Sequence, residues 1–215
     1  MEATDARHGK IARWVVLWGS SFGGGHALHL AAEDHSVAAV IAQVPHISGP
    51  ASAFTQPPRL VARLIAAGMR DQIGAIAGRQ PHRVPAVGYP GDVAMMTSPD
   101  AAPMAERLAG DRYEELLPEN DVAARIALRV PFYSPGRRAH RITAPTLVQI
   151  AERDSVTPYA VALKAARTIP KGEIRTYDCQ HFEPYLDPHF DAIVADQITF
   201  LATHVPTQTL PESRT

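Results

Sequence analysis

An α/β protein built on a doubly wound parallel sheet is the fold this sequence predicts, and three observations carry the expectation. Continuous apolar runs recur at residues 14–18, 37–44 and 146–150, and a run without polar alternation suits a strand covered on both faces. Segments with three- and four-residue apolar spacing stand between and after them, at residues 26–32, 158–168 and 190–204. Residues suited to nucleophile, acid and base chemistry fall just after strands, at the carboxyl edge where such sheets bind ligands.

The first strand, residues 14–18, runs into Gly19-Ser20-Ser21-Phe22-Gly23. A G-x-S-x-G turn between a strand and a helix is the setting in which this motif holds a nucleophile. So sharp a turn needs small residues two positions before and after the serine, and Gly19 and Gly23 meet that need. Gly24 and Gly25 let the helix at residues 26–32 lie close to the sheet, its positive dipole end behind the Ser21 hydroxyl. No Lys-Ser/Thr follows the glycines, so this is not a phosphate loop, and the spacing does not fit G-x-G-x-x-G. Glu33-Asp34-His35 links the helix to a second strand, residues 37–44, completing a right-handed strand–helix–strand unit.

Prolines become frequent between Pro45 and Ala144, and the apolar spacing turns helical. Leu60, Leu64, Ile65, Met69, Ile73 and Ile76 are expected to share one apolar face of a helix beginning after Pro58. Ser98-Pro99 reads as an N-cap followed by proline at the first helical position, and residues 122–128 as a further short helix. Residues 84–89 suit an extended edge segment closed by a Pro90-Gly91 turn. Residues 46–144 are therefore read as a mainly helical cap inserted between two parts of the core, residues 1–45 and 145–205. The second part holds a third strand at 146–150, a helix at 158–168 and a fourth strand at 173–177. A last helix at 190–204 places Ile193, Val194, Ile198, Phe200 and Leu201 on or near one face, before a polar tail at 206–215.

Ser21 follows the first strand, Asp154 the third and His181 the fourth, in the chain order serine, acid, base. A serine hydroxyl is a poor nucleophile at neutral pH and needs a base within hydrogen-bond reach. His181 would take that proton and return it to the leaving group, while Asp154 would hold the imidazole tautomer and stabilise its charged form. The Phe22 backbone N–H, at the start of a helix, would give one half of an oxyanion hole. Asp154 taken alone could equally cap the helix behind it, and Glu183 lies too near His181 in sequence to be the preferred orienter. Cys179 reads as a small buried apolar residue. His26, His29 and His46 pair with no carboxylate at a ligand spacing, so no metal is expected.

A length of 215 residues suits one domain, or one domain with an insertion. The net charge of −1 offers no basic patch for nucleic acid, and a single cysteine rules out an internal disulfide and fits a reducing compartment. No signal-peptide pattern is visible, and no apolar run approaches the roughly 18 residues that would span a bilayer. The expectation is a cytoplasmic protein with a small-molecule acyl substrate and neither nucleic acid nor a membrane as partner.

These features resemble the α/β-hydrolase superfamily, in particular its dienelactone-hydrolase, peptidase-like and polyketide-transferase-like members. The likeness runs through residues 19–25, 40–45, 84–91, 124–129, 154–158 and 181–185. It implies a partial α/β-hydrolase fold: a parallel sheet of about four strands with flanking helices and a mainly helical cap. It also implies a serine hydrolase of esters or related acyl compounds, acting through an acyl-enzyme with Ser21, Asp154 and His181 as triad and no cofactor. In that family the early strands, and the loop giving a second oxyanion N–H, precede the elbow. Ser21 comes almost at once here, so the resemblance implies an N-terminally truncated hydrolase whose residues 14–18 form an apolar edge prone to self-association. Phe54, Met69, Met95, Met96, Phe132 and Tyr133 suit an apolar acyl pocket or the cap's own core. Three readings stay open: hydrolysis, acyl transfer by the same residues, and a catalytically impaired interaction module.

Overall fold

Side chains alternate across a strand, so each face of a sheet must find its own cover. The computed structural model, which describes residues 14–205, meets that need with helices on both faces; the expected tail at 206–215 lies outside these residues. The chain runs through β1 (Val16–Ser20), α1 (Phe22–Ala31), β2 (Ala39–Gln43), α2 (Gly49–Phe54), α3 (Pro58–Ile76), β3 (Arg83–Pro85) and α4 (Ala101–Ala109). It continues through α5 (Tyr113–Leu116), β4 (Asp121–Ala123), β5 (Thr146–Ala151), α6 (Tyr159–Ala166), β6 (Gly172–Tyr177) and α7 (Phe190–His204). The main sheet has the order β1-β2-β5-β6, with every pairing parallel. Val40 and Ala42 of β2 join Val148 and Ile150 of β5 against Leu28 of α1 and Ala162 of α6. Their neighbours Ala39, Ile41 and Leu147 point the other way, onto Phe200 of α7.

The first strand departs from expectation. It starts at Val16 rather than residue 14 and runs on through Gly19 and Ser20, because its register with β2 extends from Val16↔Ala39 to Ser20↔Gln43. Among the described residues β2 is its only strand partner, so β1 lies at the edge of the described sheet and its tryptophan is open, with Trp18 57% exposed. A strand covered on both faces is thus the wrong description of residues 14–18; it fits β2 and β5, which are buried throughout. Helix α1 begins at Phe22, four residues before its expected start, and takes Gly23, Gly24 and Gly25 into its first turns.

Helix α3 follows Pro58 as expected, but its buried side is Leu60, Leu64, Gly68 and Asp71; Ile65, Met69, Ile73 and Ile76 are exposed. The buried stripe is set by what it meets. At Gly68 the helix comes so close to the 3₁₀ segment Ala124–Leu128 that an added Cβ would lie 2.9 Å from Leu128 Cγ. One turn on, Asp71 Oδ2 accepts from the Arg125 backbone N–H at 2.9 Å and Nε at 2.7 Å, while Oδ1 accepts from Arg125 Nη2 at 3.0 Å and the His82 N–H at 2.8 Å. A glycine and an aspartate thus occupy places where an apolar count looks for leucine.

Smaller differences have equally local causes. Residues 122–128 are not one helix: β4 pairs antiparallel with β3, and the 3₁₀ segment follows. Ser98 does not cap α4, because its carbonyl accepts from the Ala101 N–H at 2.9 Å in a turn that precedes the helix. In α7 the buried pair is Ile193 and Phe200, and Ile198 faces out. No described helix is long and apolar enough to cross a membrane.

The Arg125 guanidinium, by hydrogen-bonding Asp71, holds its carboxyl at about 2, below the ordinary 3.8. A folded-state pKa below the unfolded one means a contribution present above the unfolded value and lost as pH falls through the folded one. Asp71→Asn should therefore lower the thermal midpoint by several degrees at neutral pH. Between about pH 4 and pH 2 the wild-type midpoint should fall more steeply than the variant's. Parallel slopes in scanning calorimetry would show that the pair does not anchor the cap.

Candidate active site

Ser21 sits alone between β1 and α1 with φ 50° and ψ −118°, in the left-handed half of backbone space where a side chain is strained. Three main-chain bonds hold it there. Its N–H donates to the Gln43 carbonyl at 2.9 Å, and its own carbonyl accepts from the N–H groups of Gly25 at 3.2 Å and His46 at 2.8 Å. The turn closes only because Gly19 lacks a side chain: a Cβ there would lie 2.2 Å from the Gly23 carbonyl oxygen. Gly23 is a correction to the expected symmetry, since a Cβ on it would meet nothing within 4 Å. The second crowded position is Gly25, whose added Cβ would be 2.4 Å from the His46 carbonyl oxygen.

The carboxyl ends of β1, β5 and β6 bring Ser21, Asp154 and His181 together. Ser21 Oγ is 2.9 Å from His181 Nε2, and His181 Nδ1 is 2.7 Å from Asp154 Oδ2. The Asp154 and His181 side chains are almost fully buried, each 1% exposed. Asp154 also ties down its own turn: Oδ1 accepts from the N–H groups of Val156 at 2.8 Å and Thr157 at 2.6 Å, and Oδ2 from the Thr157 hydroxyl at 2.8 Å. Of the two uses foreseen for this carboxylate, orienting the imidazole is made; capping is not, because the following helix has Pro158 at its N-cap with no side-chain cap bond, and Asp154 instead closes the turn before it. A carboxylate can only accept, so Nδ1 carries the proton and Nε2 is left with a lone pair toward the Ser21 hydroxyl. The Phe22 N–H lies in the first turn of α1, where N–H groups have no intrahelical acceptor.

The other candidates are elsewhere. Glu183 Oε2 accepts from the Gln180 N–H at 2.5 Å and lies 3.7 Å from Arg153, so it braces the His181 loop rather than the ring. Cys179 is buried, which pushes its thiol up to about 12 and leaves it an inert apolar group. His26 Nδ1 meets the Tyr133 hydroxyl at 2.8 Å, and His29 lies 3.7 Å from Glu33. His46 stacks on Tyr133 with ring planes 8° apart, and burial lowers its pKa, favouring the neutral ring. Among the described residues no group of three His, Cys, Asp or Glu is placed to hold a metal ion.

The family model for the alpha/beta hydrolase fold matches residues 7–188. This chain belongs to the alpha/beta hydrolase fold family. It is 40% identical over 197 residues to the quorum-quenching protein AidA of Acinetobacter baumannii (strain MDR-ZJ06), a match covering 89% of this chain and 62% of AidA. Among solved structures it is similar to the alpha/beta hydrolase GrgF from Penicillium sp. sh18, with TM-score 0.65, 23% identity, and 88% and 63% of the two chains covered. It is also similar to DcsB in complex with its substrate analogue, with TM-score 0.67, 18% identity, and 87% and 64% covered. These two likenesses are of fold. The chain spans less than two thirds of the length of each of these relatives.

In this alpha/beta hydrolase a cavity of about 270 Å³ opens at Ser21 and Phe22 beneath the cap. Leu64, Ile65, Met95, Met96, Ile126 and Val130 line it with apolar surface, and His46, Ser52, Gln56 and Thr157 are its few polar neighbours. Of the expected pocket residues, Met95 and Met96 line it, Met69 faces out on α3, and Tyr133 packs on Phe22. Phe54 and Phe132 flank lining residues but stand 90% and 87% exposed. Sequence reasoning missed the clamp between Tyr185 and Ser20, whose hydroxyls hydrogen-bond to each other. It ties the loop carrying His181 to the residue before Ser21, and its only sequence signal was Tyr185 lying four residues past His181.

Of the two glycines two positions from Ser21 only Gly19 is crowded, and this one-sidedness separates two otherwise similar substitutions. Gly19→Ala should lower the thermal midpoint by several degrees, since backbone must move to admit the methyl group. Gly23→Ala should leave the midpoint unchanged or raise it, because it replaces a helical glycine in open space. Equal losses in a thermal-shift assay would refute the one-sided geometry.

Proposed function

We propose that this chain is the core of a serine hydrolase that cleaves a carboxylic ester, open-chain or cyclic, with an apolar acyl group. The observation that carries the reading is the continuous hydrogen-bond line from Ser21 Oγ to His181 Nε2 at 2.9 Å and from His181 Nδ1 to Asp154 Oδ2 at 2.7 Å. Ser21 Oγ attacks the ester carbonyl carbon while His181 Nε2 takes its proton. The carbonyl oxygen, now an oxyanion, accepts the Phe22 N–H at the positive end of α1. The tetrahedral adduct collapses, the C–O bond to the leaving alcohol breaks, and that oxygen takes the proton from His181. Water, deprotonated by the same imidazole, then attacks the acyl-enzyme, releasing the acid and restoring Ser21.

The apolar cavity supports the acyl preference, and the similarity to a quorum-quenching protein supports quenching of a quorum signal as this hydrolase's role. An alcohol in place of water would make the same residues an acyltransferase. Product analysis with and without an added alcohol separates the two.

Fluorophosphonate labelling of the 215-residue chain should be strong in wild type and absent in Ser21→Ala. His181→Ala and Asp154→Asn should slow labelling by on the order of 10²–10⁴ while the fold persists. Undiminished labelling of Ser21→Ala would overturn the proposal.

A second reading, a strand-pairing module, is favoured by the position of β1 at the sheet edge with Trp18 open. Among the described residues this parallel edge has no partner strand, and such an edge with apolar side chains is a template for another strand, here a second copy of β1. Wild type should then show a concentration-dependent dimer by light scattering that Trp18→Lys weakens. A monomer at every concentration would end this reading.

A further inference from the structure

Helix α3 has three stripes where an amphipathic helix needs two. At about 100° per residue, Leu60, Leu64, Gly68 and Asp71 form the stripe packed on the cap. Ile65, Met69, Ile73 and Ile76 fall within about 80° of arc on a second, exposed stripe, and Arg59, Arg63 and Arg70 within about 40° beside it. The exposed apolar stripe has no covering element among the described residues. It runs into the cavity through Ile65, which both lines the cavity and stands on the stripe. Phe54 and Phe132, nearly free in solvent, each follow a lining residue, Ala53 and Pro131.

Charge says what this face can meet. The chain carries a net −1, yet between residues 36 and 91 its only acid is Asp71, and between 122 and 151 there is none. Asp71 is buried and engaged by Arg125, so it does not offset the arginines outside. Arg63 gives one N–H to the Gly91 carbonyl at 3.2 Å, and Arg129, beside the Phe132 turn, is exposed. A second copy of the face would bring like-charged stripes together. An anionic surface with an apolar interior satisfies both stripes.

We propose that the outer face of α3, with Phe54 and Phe132, docks peripherally on an anionic lipid surface and turns the cavity mouth toward it. The apolar stripe enters the acyl boundary, the arginines stay at the headgroup phosphates, and Ile65 continues apolar surface from the lipid into the cavity. This departs from the expectation that no membrane is a partner, an expectation drawn from the absence of a spanning run, which does not register a local basic and apolar face.

The test is sedimentation of the full chain with vesicles of phosphatidylcholine alone or with phosphatidylglycerol added. Binding should be at least about tenfold stronger on the anionic vesicles and fall in high salt. The combined variant Met69→Gln, Ile73→Gln, Ile76→Gln changes only residues outside the cavity. It should keep its thermal midpoint and fluorophosphonate labelling yet lose vesicle binding by about tenfold, as should Arg59→Gln with Arg70→Gln. No sedimentation, equal binding to both vesicles, or a dimer that the triple variant dissociates would each overturn the proposal. Sedimentation needs no turnover, so it stands or falls apart from the hydrolytic reading.

Discussion

The backbone of Ser21 is the constraint from which the rest of this site follows. A serine at φ 50° persists only where its surroundings allow no relaxation, and here they are almost entirely main chain. Its N–H is held by β2, and its carbonyl by Gly25 of α1 and by His46, three residues past the end of β2. Those three anchors belong to one strand–helix–strand unit, so the parallel register of β1 with β2 sets the position of the hydroxyl. The absence of a Cβ at Gly19 and Gly25 is what lets three backbone segments approach so closely. Val44, at φ 37°, shows that the strain is shared by the neighbouring strand end.

The imidazole is held by a different logic. His181 comes from a loop, and loops move unless something ties them. Three bonds do so: Asp154 on the ring, Glu183 on the Gln180 N–H, and Tyr185 on Ser20. Asp154 is in turn fixed by its own turn through Val156 and Thr157, so the oxygen facing the ring has little freedom. The strand ends set the separations and side-chain bonds remove the residual play, so the alignment does not depend on any one contact.

The convergence of Ser21, Asp154 and His181 was legible in the sequence because each follows a strand that apolar runs reveal locally. What was not legible depended on residues far away. The inner face of α3 was misread because Gly68 and Asp71 gain their places from Leu128 and Arg125, more than fifty residues on. The same four apolar residues that misled the pattern, Ile65 through Ile76, have no partner within the described fold. The short β3–β4 pair is half legible: residues 84–89 suit an extended segment, but the helix expected over 122–128 takes in Val122 and Ala123 of the partner strand. Periodicity reports what a segment could bury, and only the partner decides which side it does bury.

The lower face of the sheet explains why the strands stay in register beneath so open an edge. Gln43 and Gln149, on adjacent strands, are buried yet polar; the Gln197 amide donates to Gln43 Oε1 at 2.9 Å and Gln149 Oε1 at 2.7 Å, while the Trp18 indole donates to Gln197 Oε1 at 3.1 Å. Gln149 reaches on to Tyr177 at 2.7 Å and to the Ile193 carbonyl at 3.0 Å. This chain of bonds crosses all four strands and fastens α7 to them. A buried amide left unpaired costs more than a mispacked methyl group, so sliding any strand by one residue would orphan several groups at once. The network thus makes register an all-or-none property of the sheet. Because Gln43 both enters this network through its side chain and holds the Ser21 N–H through its carbonyl, the same residue carries that register directly into the strained turn.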